Sequence, residues 1–193
     1  MLPIALVVLN LLVVSVTTTT AAEPNLDWKL TDIDGEIHQP FEDQSIRGLA
    51  LIFISTDCPI ANSYQPLLRR LASEYQKVGM CIFMVHPSPT LSIEEARKHA
   101  SEFGITVPVV MDTDRSLARR AGAIVTPHAF VFARNQESPV YQGRIDNLYA
   151  DYGKKRNVAT THELADALEA VVAGRAVENP KTKPVGCFIS YAK

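Results

Sequence analysis

The sequence has little of several things that would announce a function. Its formal charge is only −2, and its lysines and arginines are scattered, so the electrostatic footprint of a nucleic-acid binder is missing. Aromatic residues make up 7% of it, too few for a base-stacking platform. It has three thiols, Cys58, Cys81 and Cys187, and no two of them have the spacing of a zinc-ligand pair. Internal repeats and low-complexity linkers are absent. The one long apolar run, Ala5–Val16 interrupted by Asn10 and Ser15, is short for a membrane span. No basic residue precedes that run, but small residues follow it at Ala21 and Ala22, where a signal peptidase would cut. Residues 1–22 therefore read as an export signal, with an uncleaved anchor over residues 1–20 or a misplaced start as the alternatives. Export would put the chain in a periplasmic or other extracytoplasmic compartment, where disulfide chemistry is possible.

What is present is an ordinary globular composition, 47% hydrophobic over 193 residues, enough for one domain with a full core. The informative stretch runs from Leu49 to Pro66. Leu49–Ile54 is an apolar, β-branched run that fits one fully buried strand. Ser55, Thr56 and Asp57 can cap a helix, and Pro59 suits a first helical position. Between them stands Cys58. A thiol at the end of a buried strand and the start of a helix faces unpaired N–H groups that favour the thiolate, which is the nucleophilic form. The competing reading is a small buried hydrophobe. Cys81, inside the apolar run Met80–Val85, reads as inert core, and Cys187 lies in a short tail after Gly186.

In chain order, a turn-rich hairpin flanks Asp32–Gly35, and the strand ending near Cys58 leads into a helix over 60–78 that Pro66 should kink. A strand over Met80–Val85 follows, then a helix opened by the capping box of Ser92 and Glu95 and stopped at Gly104. Val107–Met111 is a strand whose Pro108 suggests an edge, and residues 112–120 form a short helix capped by Asp112 or Thr113. Strands at 129–133 and 140–144 form a hairpin, and a helix over 164–172 closes the domain. Strands alternating with helices give an α/β fold with a central mixed sheet flanked by helices. One domain spans 26–176, followed by a tail over 177–193.

In this order and spacing, four features resemble the thioredoxin superfamily: the strand–Cys58–Pro59–helix junction, the mid-helix Pro66, Val125-Thr126-Pro127 before a strand, and the closing hairpin with its helix. The chain looks like the redoxin branch, which includes AhpC/TSA peroxiredoxin-like proteins and TlpA-like exported thiol oxidoreductases. The resemblance implies a thioredoxin-like fold, no cofactor, a redox-active Cys58 acting on a protein disulfide or a small peroxide, and an external thiol reductant. It also implies a cis bond at Thr126–Pro127, which would offer Thr126 as a backbone edge to an extended peptide beside the thiol.

Departures from the family pattern matter. The second cysteine of a Cys-x-x-Cys motif is replaced by Ala61, so Cys58 lacks a local partner. Ser55 fits the Ser/Thr that peroxiredoxins place three residues before their cysteine, but their arginine falls here at Pro127. Cys187 is the candidate resolving thiol; a structural Cys58–Cys187 disulfide and a tail thiol without a role remain open. Pro59, Asn62, Tyr64, His128 and Arg144 are candidate substrate-site residues, and Asp146, Tyr149, Asp151 and Tyr152 a candidate loop site. His128 would either assist Cys58 or point to solvent, and Arg144 would either reach the thiolate or be a surface charge. A reading of another class is a copper-binding module, for which the ligand set is incomplete because Asn62 stands where a second cysteine would be needed.

Overall fold

The computed structural model describes residues 28–134 and 136–191, so the apolar amino-terminal segment and the export reading attached to it lie outside the described residues. Strands β1 (Leu30–Thr31) and β2 (Ile37–His38) form the opening hairpin, antiparallel with Leu30 opposite His38. The centre of the fold is β3 (Gly48–Phe53), buried at every position. It pairs in parallel with β4 (Met80–His86) and antiparallel with β7 (His128–Ala133). β5 (Val109–Met111) and β8 (Tyr141–Gly143) close the two edges, giving a five-stranded mixed sheet in the order β5-β4-β3-β7-β8. The edge position of β5 agrees with Pro108, which has no N–H to give a further strand.

Strand alternation divides the core into two layers. Leu49, Leu51 and Phe53 point to one face and pack with Trp28, Phe83 and Phe130. Ala50 and Ile52 point to the other and pack with Leu68, Leu71, Leu164 and Leu168. The second set lies on α2 (Gln65–Tyr75) and α5 (Glu163–Val172), whose apolar stripes recur at helical spacing. α3 (Ile93–Phe103) opens with the expected capping box, Ser92 Oγ accepting from Glu95 N–H and Glu95 accepting from Ser92 N–H, and ends at left-handed Gly104. α4 (Ser116–Ala121) starts later than its sequence suggested, yet Asp112 still accepts from the Leu117 and Ala118 N–H groups.

Two differences from the sequence reading bear on function. The helix anticipated over 60–78 is broken into α1 (Pro59–Ser63) and α2 at Tyr64, because Pro66 sits in the first turn of α2, where its missing N–H costs nothing. More importantly, the tail is not loose. It carries a further strand, β11 (Cys187–Phe188), which pairs antiparallel with β6 (Val125–Thr126), Cys187 facing Thr126. The connection after β8 also forms a small hairpin, β9 (Tyr149–Asp151) with β10 (Lys154–Lys155).

Candidate active site

Cys58 is 1% exposed and is itself the N-cap of α1, with Pro59 as the first helical residue. Ser55 and Thr56 do not cap the helix; their hydroxyls donate to the Asp57 carboxylate at 3.1 and 2.7 Å, which holds that carboxyl below its ordinary range. Ser55 therefore faces Asp57 rather than the thiol. The Cys58 sulfur accepts the Ala61 N–H at 3.4 Å and donates to the Thr126 carbonyl at 2.9 Å. The Thr126–Pro127 bond is cis, as the resemblance implied.

Beside Cys58 lies Cys187, brought there by the β6–β11 pairing that sets it opposite Thr126, and the two thiols line one cavity. Both are free. Burial pushes Cys58 up, but the neighbouring Cys187 and the Ala61 N–H outweigh it, and the net direction is down. Cys187 is pushed up to about 12, first by burial and then by Cys58 and the Asp57 charge. The two thiols are thus shifted in opposite directions, Cys58 toward the thiolate and Cys187 toward the thiol.

A cavity of about 520 Å³ opens over this pair, lined by Ser55, Asp57, His86, Arg115 and Phe188 besides the thiols. His86 ends β4, which runs parallel to β3, so it reaches the same end of the sheet as the cysteine. It is 1% exposed, both its ring nitrogens lack a partner, and burial followed by the neighbouring His99 lowers its pKa to about 4. His86 and Arg115 were not picked out from the sequence. The signal available for His86 was its place at the carboxyl end of a strand adjacent to that of Cys58. For Arg115 there was none.

Other anticipated site residues hold the site from behind. Asn62 donates to the Thr56 carbonyl at 2.8 Å and contacts His99 Nε2 at 2.9 Å, tying the cysteine turn to α3. Tyr64 is buried, and its hydroxyl donates to Asp146 at 2.5 Å. Tyr149 packs its ring against Tyr64, tilted by 57° with centroids 5.7 Å apart, so this part of the loop buttresses the helix break, whereas Asp151 and Tyr152 are exposed. Neither Asn62 nor Tyr64 lines the cavity. His128 does not point to solvent and does not line the cavity: it is buried, rests 4.3 Å from Phe130 and accepts the Ile124 N–H through Nδ1. Burial lowers its pKa to about 4, so it is neutral. Arg144 is paired with Glu163 at the start of α5 and does not line the cavity. Among the described residues, the one trio of metal-type ligands that comes close together is Asp32, Glu36 and His38, in the opening hairpin and apart from the thiols.

The AhpC/TSA family profile matches residues 21–137, more than half of the chain. The chain belongs to the AhpC/TSA family. It is a redoxin of the thioredoxin superfamily, with the thioredoxin-like fold. It is 31% identical over 110 residues to the thiol-disulfide oxidoreductase ResA of Geobacillus thermodenitrificans, an alignment spanning 56% of this chain and 61% of that relative. Among solved structures it is similar to a hypothetical protein of Sinorhizobium meliloti 1021 (24% identity, TM-score 0.74, covering 86% of this chain and 91% of the other). An uncharacterized conserved protein of Geobacillus kaustophilus is also similar (28% identity, TM-score 0.70, covering 85% and 88%). So is a secreted Mycobacterium tuberculosis disulfide oxidoreductase, in fold (16% identity, TM-score 0.53, covering 79% and 99%).

Proposed function

We propose that this redoxin is a thiol-disulfide oxidoreductase in which Cys58 is the nucleophile and Cys187 the resolving thiol. The observation that carries the reading is the pair of free thiols that share one cavity at the end of the central strand, shifted in opposite directions. The Cys58 thiolate attacks one sulfur of a substrate disulfide; that S–S bond breaks, and the other substrate sulfur leaves as thiolate and takes up a proton. Formation of the mixed disulfide removes the negative neighbour that helped keep Cys187 protonated. Cys187 then loses its proton to the second departing sulfur and attacks Cys58, giving an internal Cys58–Cys187 bridge and a reduced substrate. An external dithiol supplies two electrons to restore the pair. Thr126, through its carbonyl, and the cis Pro127 frame the thiol.

Disulfide exchange is favoured over peroxide reduction because Pro127 occupies the position of the peroxidase arginine, and the guanidinium of Arg144 is committed to Glu163. An extracytoplasmic site of action, with residues 1–22 as signal or residues 1–20 as anchor, belongs to the same reading, and the similarity to a secreted oxidoreductase supports it. The test is mass mapping of the reduced protein after one equivalent of a protein disulfide or of hydrogen peroxide. Rapid formation of a Cys58–Cys187 bridge with the disulfide, slow formation with peroxide, and neither in Cys58→Ser is expected. Rapid peroxide consumption with the same bridge would make it a peroxidase instead. No bridge with either oxidant would overturn both.

A further inference from the structure

Residues 180–191 cross the mouth of the site and are fastened on both sides of it. On one side, Gln142 N–H donates to the Pro180 carbonyl at 2.9 Å and Thr182 N–H to the Gln142 carbonyl at 3.0 Å, on the outer strand β8. On the other, β11 pairs with β6, Ile189 N–H donates to the Ile124 carbonyl at 3.0 Å, and Arg115 donates to the Ser190 carbonyl. β11 and β6 form a separate two-stranded sheet, so the backbone edge beside Cys58 is filled by the chain's own strand. Each residue of that strand meets a distinct condition. Gly186 passes so close to β6 that a β-carbon there would run into the Thr126 carbonyl. Cys187 lies opposite Thr126 and shares the cavity with Cys58. Phe188 is 87% exposed, so nothing constrains it. Ile189 is buried in the core layer that contains Trp28, Phe53 and Phe130.

We infer that Gly186–Ile189 is a resident competitor for this edge. It stands in for the extended segment of a protein substrate and must leave for that segment to bind. The inference rests on the thiol-disulfide reading above and adds to it a selectivity. A displacing segment runs antiparallel to β6, with a glycine before its cysteine, any residue after it, and an apolar branched residue two places after it. In the reduced protein no covalent bond retains the strand, and only two residues of it are paired, so exchange with a segment of matching pattern is a trade of like contacts.

The test uses the full-length Cys187→Ser protein and the peptide Lys-Pro-Val-Gly-Cys-Phe-Ile, its cysteine carried as a mixed disulfide with 2-nitro-5-thiobenzoate. The Cys58 thiolate forms an S–S bond to the peptide sulfur, the bond to the aromatic sulfur breaks, and the coloured thiolate leaves with the electron pair, so its release reports capture. Capture should fall about tenfold or more when the peptide's Gly is replaced by Val or its Ile by Asp, since each change forfeits the fit or burial of one side chain. Replacement of its Phe by Ser should change capture by less than about twofold, the ring being exposed. Adding Gly186→Ala to the protein should lift the resident strand and raise capture of the parent peptide. Equal rates for all peptides, or no gain from Gly186→Ala in a protein that unfolds at an unchanged temperature, would overturn the inference. If that happens while the symmetric aromatic disulfide still reacts rapidly at Cys58, the thiol-disulfide reading survives. If neither that disulfide nor any peptide reacts faster than with free cysteine, both fail.

Discussion

Cys58 meets groups that arrive from three directions: Ala61 from its own helix, Thr126 from the cis-proline turn, and Cys187 from the tail. Because Cys187 beside it and the Ala61 N–H lower the Cys58 pKa, the rate of Cys58 alkylation in the folded protein should reach half its maximum at a lower pH than in the unfolded chain. In Cys187→Ala that midpoint should move up, since burial then acts with less opposition. An unmoved midpoint, read from iodoacetamide kinetics across pH, would mean that Cys187 does not tune its neighbour. The Cys58–Pro59 and Thr126–Pro127 pairs were legible because each is a local pattern with a local geometric meaning. His86, Arg115 and the true surroundings of His128 were not, because strand pairing brings them to their places and nothing beside them in sequence says so.

Among the elements, the ones with local punctuation were read most closely. Ser92 and Glu95 mark the start of α3 and Gly104 its end, and Ser92→Ala should cost about 1 kcal/mol in a urea titration, the usual value of an N-cap side chain. A loss near zero would mean that Glu95 alone sustains the turn. The break between α1 and α2 was foreseen as a kink at Pro66, and it falls at Tyr64 because a proline is accommodated in the first turn of a new helix more readily than inside an old one. β11 escaped notice. Two residues after a glycine carry no periodicity, and the partner strand lies far back in the chain.

Across the whole molecule, burial of neutral histidines ties stability to pH. His86 and His128 have pKa values of about 4 in the folded state and 6.5 as the ordinary value, so the unfolded chain binds more protons between those limits. Stability should therefore be complete above pH 6.5 and fall as pH drops toward 4, by about 3 kcal/mol per histidine, with His99 acting in the same direction. Thermal unfolding from pH 7 to 4.5 checks this; a melting temperature that stays level would mean that these rings find partners or water on protonation. The alternation of strands and helices was enough to place the sheet, because each layer announces itself by its own period.

The return of the tail to β6 also sets an order of assembly. β11 can dock only on an edge that already exists, and closing so long a loop is slow compared with forming the local βα units before it. The chain should therefore pass through a stage in which the sheet is built and Cys58 is uncovered. Refolding in the presence of an alkylating reagent should mark Cys58 early and lose that access when the last strand lands, so that the chain completes its own reactive centre by closing over it.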